Sequence, residues 1–206
     1  MDIKMFNKTR FFILTAACLL SFLFSTDYLN AKVQKHTLIG PRSNIATDTP
    51  AAYGFWSFAI VEQTKISRSG QPTIGEFNWL KNNNWQSIVD LRTDGEYKEI
   101  GDNQKIKGFK DLKFTYLYLP IKDGGVPTKK QANIFLDFVK NPKNQPAHVH
   151  CRGGYGRTGT MIALYRFMID NWPMVEAIAE SRLYHGGISS KQQKWLLAWE
   201  KDHGKK

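Results

Sequence analysis

One thiol and one guanidinium stand at the two ends of a glycine-rich run, His150-Cys151-Arg152-Gly153-Gly154-Tyr155-Gly156-Arg157-Thr158-Gly159, with five residues between them. Residues of these types at this spacing can build a phosphate cradle with a nucleophile in its floor. Gly153, Gly154 and Gly156 can adopt positive φ, which lets successive backbone N–H groups converge on one anion. Arg157 adds a planar fork able to hold two phosphate oxygens at once, a task that suits a lysine's point charge less well. The same positive surroundings favour the thiolate of Cys151, the reactive form of that side chain. Thr158, beside the arginine, is placed to donate its hydroxyl to the sulfur when the sulfur has to leave. Arg152 and Tyr155 complete the loop as candidate phosphate contacts, and His150 is expected to orient the loop backbone rather than touch a substrate.

The loop must hang between two elements. Pro146 to His150 reads as a short buried strand and Met161 to Met168 as a core helix. A loop at the start of a helix meets free first-turn N–H groups and the positive end of the macrodipole, both of which attract an anion. Along the chain, strands are expected near 59–62, at 66, and over 87–91, 114–119 and 147–150. Helices are expected over 73–83, near 96–106, over 128–140 and 157–170, after Pro173, and over 190–201. The alternation implies an α/β fold, a central, mostly parallel twisted sheet flanked by helices on both faces. Ligands of such sheets bind outside the carboxyl ends of the strands, where Cys151 falls. Trp195 and Trp199 share a face with Leu196 and read as core.

The loop resembles the Cys-based protein tyrosine phosphatases, in particular the small dual-specificity branch with the signature His-Cys-x-x-Gly-x-x-Arg-Thr/Ser-Gly. His150, Cys151, Gly154, Arg157, Thr158 and Gly159 fill every fixed position. Upstream, Ser67 to Thr73, Phe77 to Lys81 and Ile88 to Arg92 are similar to the opening of bacterial dual-specificity-type phosphatases, so the likeness covers most of residues 53–200. That upstream likeness concerns the fold more than the chemistry, and Asp90 and Arg92 are expected to hold the sheet edge and the neighbouring loop together. The resemblance implies a phosphatase-like fold and a phosphoric monoester hydrolase working through a cysteinyl-phosphate, with no cofactor. Such a reaction needs an acid, because an alkoxide or phenolate leaves poorly unless protonated. Asp123 is the candidate: it lies 28 residues before Cys151 in a glycine-rich loop, where acids of the family sit, although a turn residue before Gly-Gly is its plainer reading. Asp94 and Asp102 are the runners-up, with Asp94-Gly95-Glu96 reading better as a turn and helix start. Gln192 and Gln193 are weaker candidates for positioning the hydrolytic water.

For substrate, phosphotyrosine, phosphoserine and phosphothreonine in a shallow cleft are the default. Arg152, with a rim of Lys122, Lys129 and Lys130, keeps inositol polyphosphates or phosphoinositide head groups open as the alternative. A catalytically silent phosphate-binding module and a sulfurtransferase are the readings of other kinds. His148, His150 and Cys151 make a His-x-His-Cys cluster, but the two histidines share one strand face that the loop already explains, so no metal is expected.

The chain has 206 residues, 42% apolar and 23% charged, an ordinary size for one domain with its own core. Lys4, Lys8 and Arg10 precede an apolar run from Phe11 to Phe24, the layout of a secretory signal. That run is short for a bilayer span. Residues 1–31 are therefore expected to be a cleaved signal peptide, 32–52 an irregular leader and 53–206 the catalytic domain, exported to the periplasm or secreted. Retention as a membrane anchor or lipidation at Cys18 is the less favoured outcome. The two cysteines are Cys18 and Cys151, so a mature chain would carry one thiol and no internal disulfide. Removal of residues 1–31 leaves 26 basic against 16 acidic side chains, a surface suited to steering an anionic substrate. No stripe of basic and aromatic residues of the kind that binds nucleic acid is evident, and the oligomeric state stays open.

Overall fold

The computed structural model describes residues 56–62, 65–98, 111–184 and 187–204. The expected signal segment 1–31, the leader 32–52 and Asp102 lie outside the described residues. The elements, in chain order, are β1 (Ala59–Glu62), β2 (Ile66–Ser69), α1 (Ile74–Asn82), β3 (Ser87–Asp90), α2 (Asp94–Lys98), β4 (Thr115–Tyr118), α3 (Lys129–Lys140), β5 (Ala147–His150), α4 (Gly156–Met168), α5 (Met174–Ser181) and α6 (Ser190–His203). A short 3-10 turn, Pro142–Asn144, leads into β5.

The strands form one sheet in the order β1-β2-β5-β3-β4. The last four run parallel, and β1 pairs antiparallel to β2 at one edge, with a bulge between Ile60 and Glu62. Burial follows from position: β2, β3 and β5 are buried at every residue, whereas β1 alternates and β4, at the other edge, is half exposed. Inner parallel strands are covered on both faces, so each alternate residue must suit a different layer. Ile88 packs with Phe77, Trp79 and Leu80 of α1, whereas Val89 packs with Phe135 of α3, Met161 of α4 and Leu196 of α6. The odd members of the α1 face are His148 and His150, stacked 6.2 Å apart. His148 is fully buried between the hydroxyls of Ser67 and Ser69, each 2.8 Å from one ring nitrogen. Burial holds it neutral, well below the usual histidine range, with His150 adding to the effect.

Thr73, Thr128 and Ser189 each close a capping box with a residue three further on, Glu76, Gln131 and Gln192, which is why α1, α3 and α6 start where they do. The helix expected near Glu96 starts at Asp94, within the stretch read as a turn and helix start, and the Glu96 carboxylate accepts the Thr93 N–H at 2.9 Å and closes the first turn from behind. The rest of that expected helix lies outside the described residues. Trp199 is buried and Trp195 packs beside it. Among the described residues no helix is long and apolar enough to cross a membrane, and no group of three or more His, Cys, Asp or Glu side chains is placed to hold a metal ion.

Candidate active site

The 151–157 loop leaves the carboxyl end of β5, the middle strand of the sheet, and enters α4, whose residues Arg157 to Arg166 are all buried. Cys151 is 2% exposed, and its sulfur receives the Gly154 N–H at 3.2 Å. Gly154 has φ +81°, and a Cβ there would lie 2.4 Å from the Gly70 nitrogen. No other residue fits, for conformation and for space alike.

The loop is backed by the segment after β2. Arg68 donates to the Gly154 carbonyl, the Gln71 N–H donates to the Arg152 carbonyl at 2.9 Å, and the Gly70 N–H donates to the Trp56 carbonyl at 2.6 Å. The stretch Ser67 to Thr73, read from the sequence as a fold feature, is thus the wall against which the loop is cast. His150 stands behind the loop, fully buried, with Nδ1 3.4 Å from the Cys151 carbonyl and Nε2 3.7 Å from Asp90 Oδ2. It does not reach the cleft.

Arg157 is 2% exposed. Its two terminal nitrogens are held by the Glu96 carboxylate at 2.6 and 2.7 Å, the bidentate geometry of a fixed guanidinium plane. One of them also donates to the Ile121 carbonyl at 3.1 Å, and the other lies 3.2 Å from Asp123 Oδ1. Among the described residues the buried Nε of Arg157 has no hydrogen-bond partner. Burial works against both charges, yet Arg157 and the Thr93 N–H bring Glu96 down to about 2, and Glu96, Cys151 and Asp123 keep Arg157 above its ordinary value.

Asp123 reaches the site from an exposed turn; its side chain is 82% exposed. The turn is closed by the Gly125 N–H on the Lys122 carbonyl at 2.7 Å and held to α6 by the Gln192 amide, which donates to the Gly125 carbonyl at 2.9 Å. Loop, turn and α6 enclose a cleft of about 730 Å³ that Cys151, Arg152, Tyr155, Arg157, Asp123 and Gln192 line together, with Trp56 at one wall.

Other candidates fall elsewhere. Among the described residues the buried Thr158 hydroxyl has no hydrogen-bond partner, and the sulfur takes the Gly154 N–H. Asp94 receives the Tyr118 hydroxyl and does not line the cleft. Asp90 and Arg92 form a fully buried pair at 2.7 Å, but β3 is an inner strand, so they brace its carboxyl end and not a sheet edge. Gln193 turns to the Ile188 carbonyl. Of the four expected rim cations only Arg152 lines the cleft: Lys129 is paired with Asp202 at 2.6 Å, and Lys122 and Lys130 are not part of its lining. Glu96 and Arg68, which sequence reasoning did not single out, meet this loop directly, through Arg157 and Gly154. The one available signal was an arginine inside a strand between two serines.

A sequence profile described as DSP-PTPase phosphatase fused to NAD+ kinase matches residues 57–198. The chain belongs to the DSP-PTPase phosphatases. Among curated relatives of this phosphatase domain, mouse dual specificity protein phosphatase CDC14B is 33% identical over 70% of the chain and 35% of its own length, and human CDC14C is 34% identical over 58% of the chain and 25% of its own. The chain thus spans about a third or less of these relatives. A Methanocaldococcus jannaschii protein of uncharacterized function is 39% identical over 56% of the chain and 63% of its own length. The phosphatase fold recurs in the active form of Tk-PTP, with TM-score 0.62 and 20% identity over 71% of this chain and 97% of that one. It recurs too in the core catalytic domain of the Saccharomyces cerevisiae PP-IP phosphatase SIW14, with TM-score 0.61 and 24% identity over 71% and 86%.

Proposed function

We propose that the chain is a phosphoric monoester hydrolase of the dual-specificity protein phosphatase type. The observation that carries this reading is the convergence of Cys151, Arg157 and Asp123 on one cleft, with Arg157 3.2 Å from Asp123 and the sulfur already taking a loop N–H. The Cys151 thiolate attacks phosphorus opposite the ester oxygen, an S–P bond forms and the P–O bond breaks. The leaving oxygen takes a proton from the Asp123 carboxyl group. Arg157 and the loop amides hold the charge on the equatorial oxygens. In the second step the Asp123 carboxylate takes a proton from water, the water oxygen attacks phosphorus, and the sulfur leaves with the Thr158 hydroxyl free to receive it. Inorganic phosphate is the second product.

Phosphorylated protein is the preferred substrate class. A polyphosphate needs several cations around the scissile group, and of the rim residues Arg152 alone lines the cleft. That same arginine supports inositol phosphates or phosphoinositides as the second reading. The chain is tested for phosphate release from phosphotyrosine, phosphoserine and phosphothreonine peptides and from inositol hexakisphosphate, with Cys151→Ser in parallel. Peptide preference abolished by the substitution supports the first reading and preference for the inositol phosphate the second. Silence on all of them, with retained phosphopeptide binding, would leave a phosphate-binding module. We further propose that residues 1–31 act as a signal peptide and that the domain works in the periplasm or outside the cell. Cell fractionation showing the full-length mass in the cytosol would overturn this.

A further inference from the structure

Arg68 sits in the middle of β2 with 1% of its surface exposed. Neighbouring Ser67 and Ser69 turn to His148 on the α1 face, so Arg68 points to the opposite face. There its guanidinium lies 3.7 Å over the Tyr184 ring and donates to the Gly154 carbonyl. The charged and titratable groups around it are Tyr184, Glu180 of α5, Arg166 of α4 and Cys151. Glu180 is already taken by Arg166, at 2.7 and 3.1 Å. Among the described residues, therefore, no carboxylate lies within ion-pair distance of Arg68, and its Nε has no partner at all. A buried cation without its own anion is costly, and with burial pushing the Tyr184 hydroxyl up to about 12, Cys151 is the remaining group near it that can supply a negative charge.

The geometry links the two. Gly154 is gripped from both sides: its carbonyl by Arg68 from behind, and its N–H by the Cys151 sulfur in front. We propose that Arg68 is a positioning residue of this site, which fixes Gly154 so that its N–H faces the sulfur and supplies from behind the loop a second positive charge, beside Arg157, that favours the ionised thiol. The inference rests on the reading of Cys151 as the nucleophile.

The test is the rate of Cys151 alkylation by iodoacetamide, which needs no knowledge of the substrate. Arg68→Gln removes the charge and is too short to reach the Gly154 carbonyl, whereas Arg68→Lys keeps the charge and loses the fork; a cooperative thermal melt qualifies each protein. Arg68→Gln should react about tenfold more slowly than wild type near pH ~6.5 and equally fast near pH ~9, where any thiol is largely ionised, with Arg68→Lys within about threefold at both. Wild-type rates for Arg68→Gln at both pH values, or an equal loss at both, would overturn the proposal. One arm needs no variant: buried charges escape screening, so about 1 M KCl should slow wild-type alkylation by less than about twofold. A tenfold loss in salt would assign the activation to exposed cations such as Arg152 and would also overturn it. A wild-type thiol of ordinary reactivity would instead sink the reading of Cys151 itself, whereas an activated thiol indifferent to Arg68 sinks only the role of Arg68.

Discussion

Each side chain in the cleft has a separate task, and substitutions should separate them. On the proposed mechanism Asp123→Asn removes the proton donor and keeps the shape, so kcat should fall by about 10²–10⁴ on an alkyl phosphate, and by much less on an activated aryl phosphate whose leaving group needs no proton. A ratio of losses independent of leaving group would assign the acid elsewhere. Glu96→Gln leaves the Arg157 fork without the carboxylate that holds both its ends, and KM should rise by about tenfold, the equivalent of ~1.4 kcal/mol of binding, with kcat less affected. Steady-state kinetics decide this. Cys151 and Arg157 were legible in the sequence because one short loop holds both. Glu96, 61 positions before Arg157, and Arg68, 86 before Gly154, were not, because nothing local marks a carboxylate or a guanidinium for a partner that distant.

At the scale of elements, α6 reaches the acid-bearing turn through its first turn. Ser189 caps the helix and shares the Gln192 side chain, whose amide nitrogen then holds the Gly125 carbonyl. Ser189→Ala should cost about 1 kcal/mol of stability by loss of the cap, measured by denaturant unfolding. The buried Arg166–Glu180 pair joins α4 to α5 beside their apolar packing. Glu180→Ala strands the cation and should cost about 3–5 kcal/mol; a loss below one would show that Asp170, 2.8 Å from the same arginine, carries the pair alone. Capped helices and buried strands could be read from periodicity and from Thr and Ser at helix starts. The double use of Glu96 could not, since its carboxylate folds back on Thr93 while also holding Arg157.

For the molecule as a whole, two carboxylates with opposite displacements shape the pH profile of stability. Glu96 is held at about 2, below its ordinary value, by Arg157 and the Thr93 N–H against the opposing effect of burial. Its contribution is fully present above about pH 4.5 and is lost as pH falls toward 2. Asp170 is raised to about 6 by burial, with Arg166 opposing and Glu62 reinforcing. Its protonated form favours the fold, so that contribution is present at low pH and disappears between about pH 4 and 6. Thermal melts should therefore be highest near pH ~4, with the neutral-side decline absent in Asp170→Asn and the acid-side decline reduced in Glu96→Gln. A flat profile from pH ~4 to 7 in the wild type would contradict the placement of Asp170.

From its sequence alone this protein can be read as an α/β phosphatase domain with a nucleophile and a phosphate-binding arginine on one loop, because that chemistry is local: a strand end, three glycines and a helix start carry it within ten residues. Asp123 could be named for its distance and its loop. What the tertiary structure decided is which charges face the cleft and which are used elsewhere. Lys129 is paired with Asp202 and Asp94 is engaged by Tyr118, whereas Glu96 and Arg68, unremarkable in the sequence, close on the loop from two sides. The physical reason is that ionic and hydrogen-bonding partners are chosen by proximity in space, which the order β1-β2-β5-β3-β4 sets and no periodicity along the chain encodes.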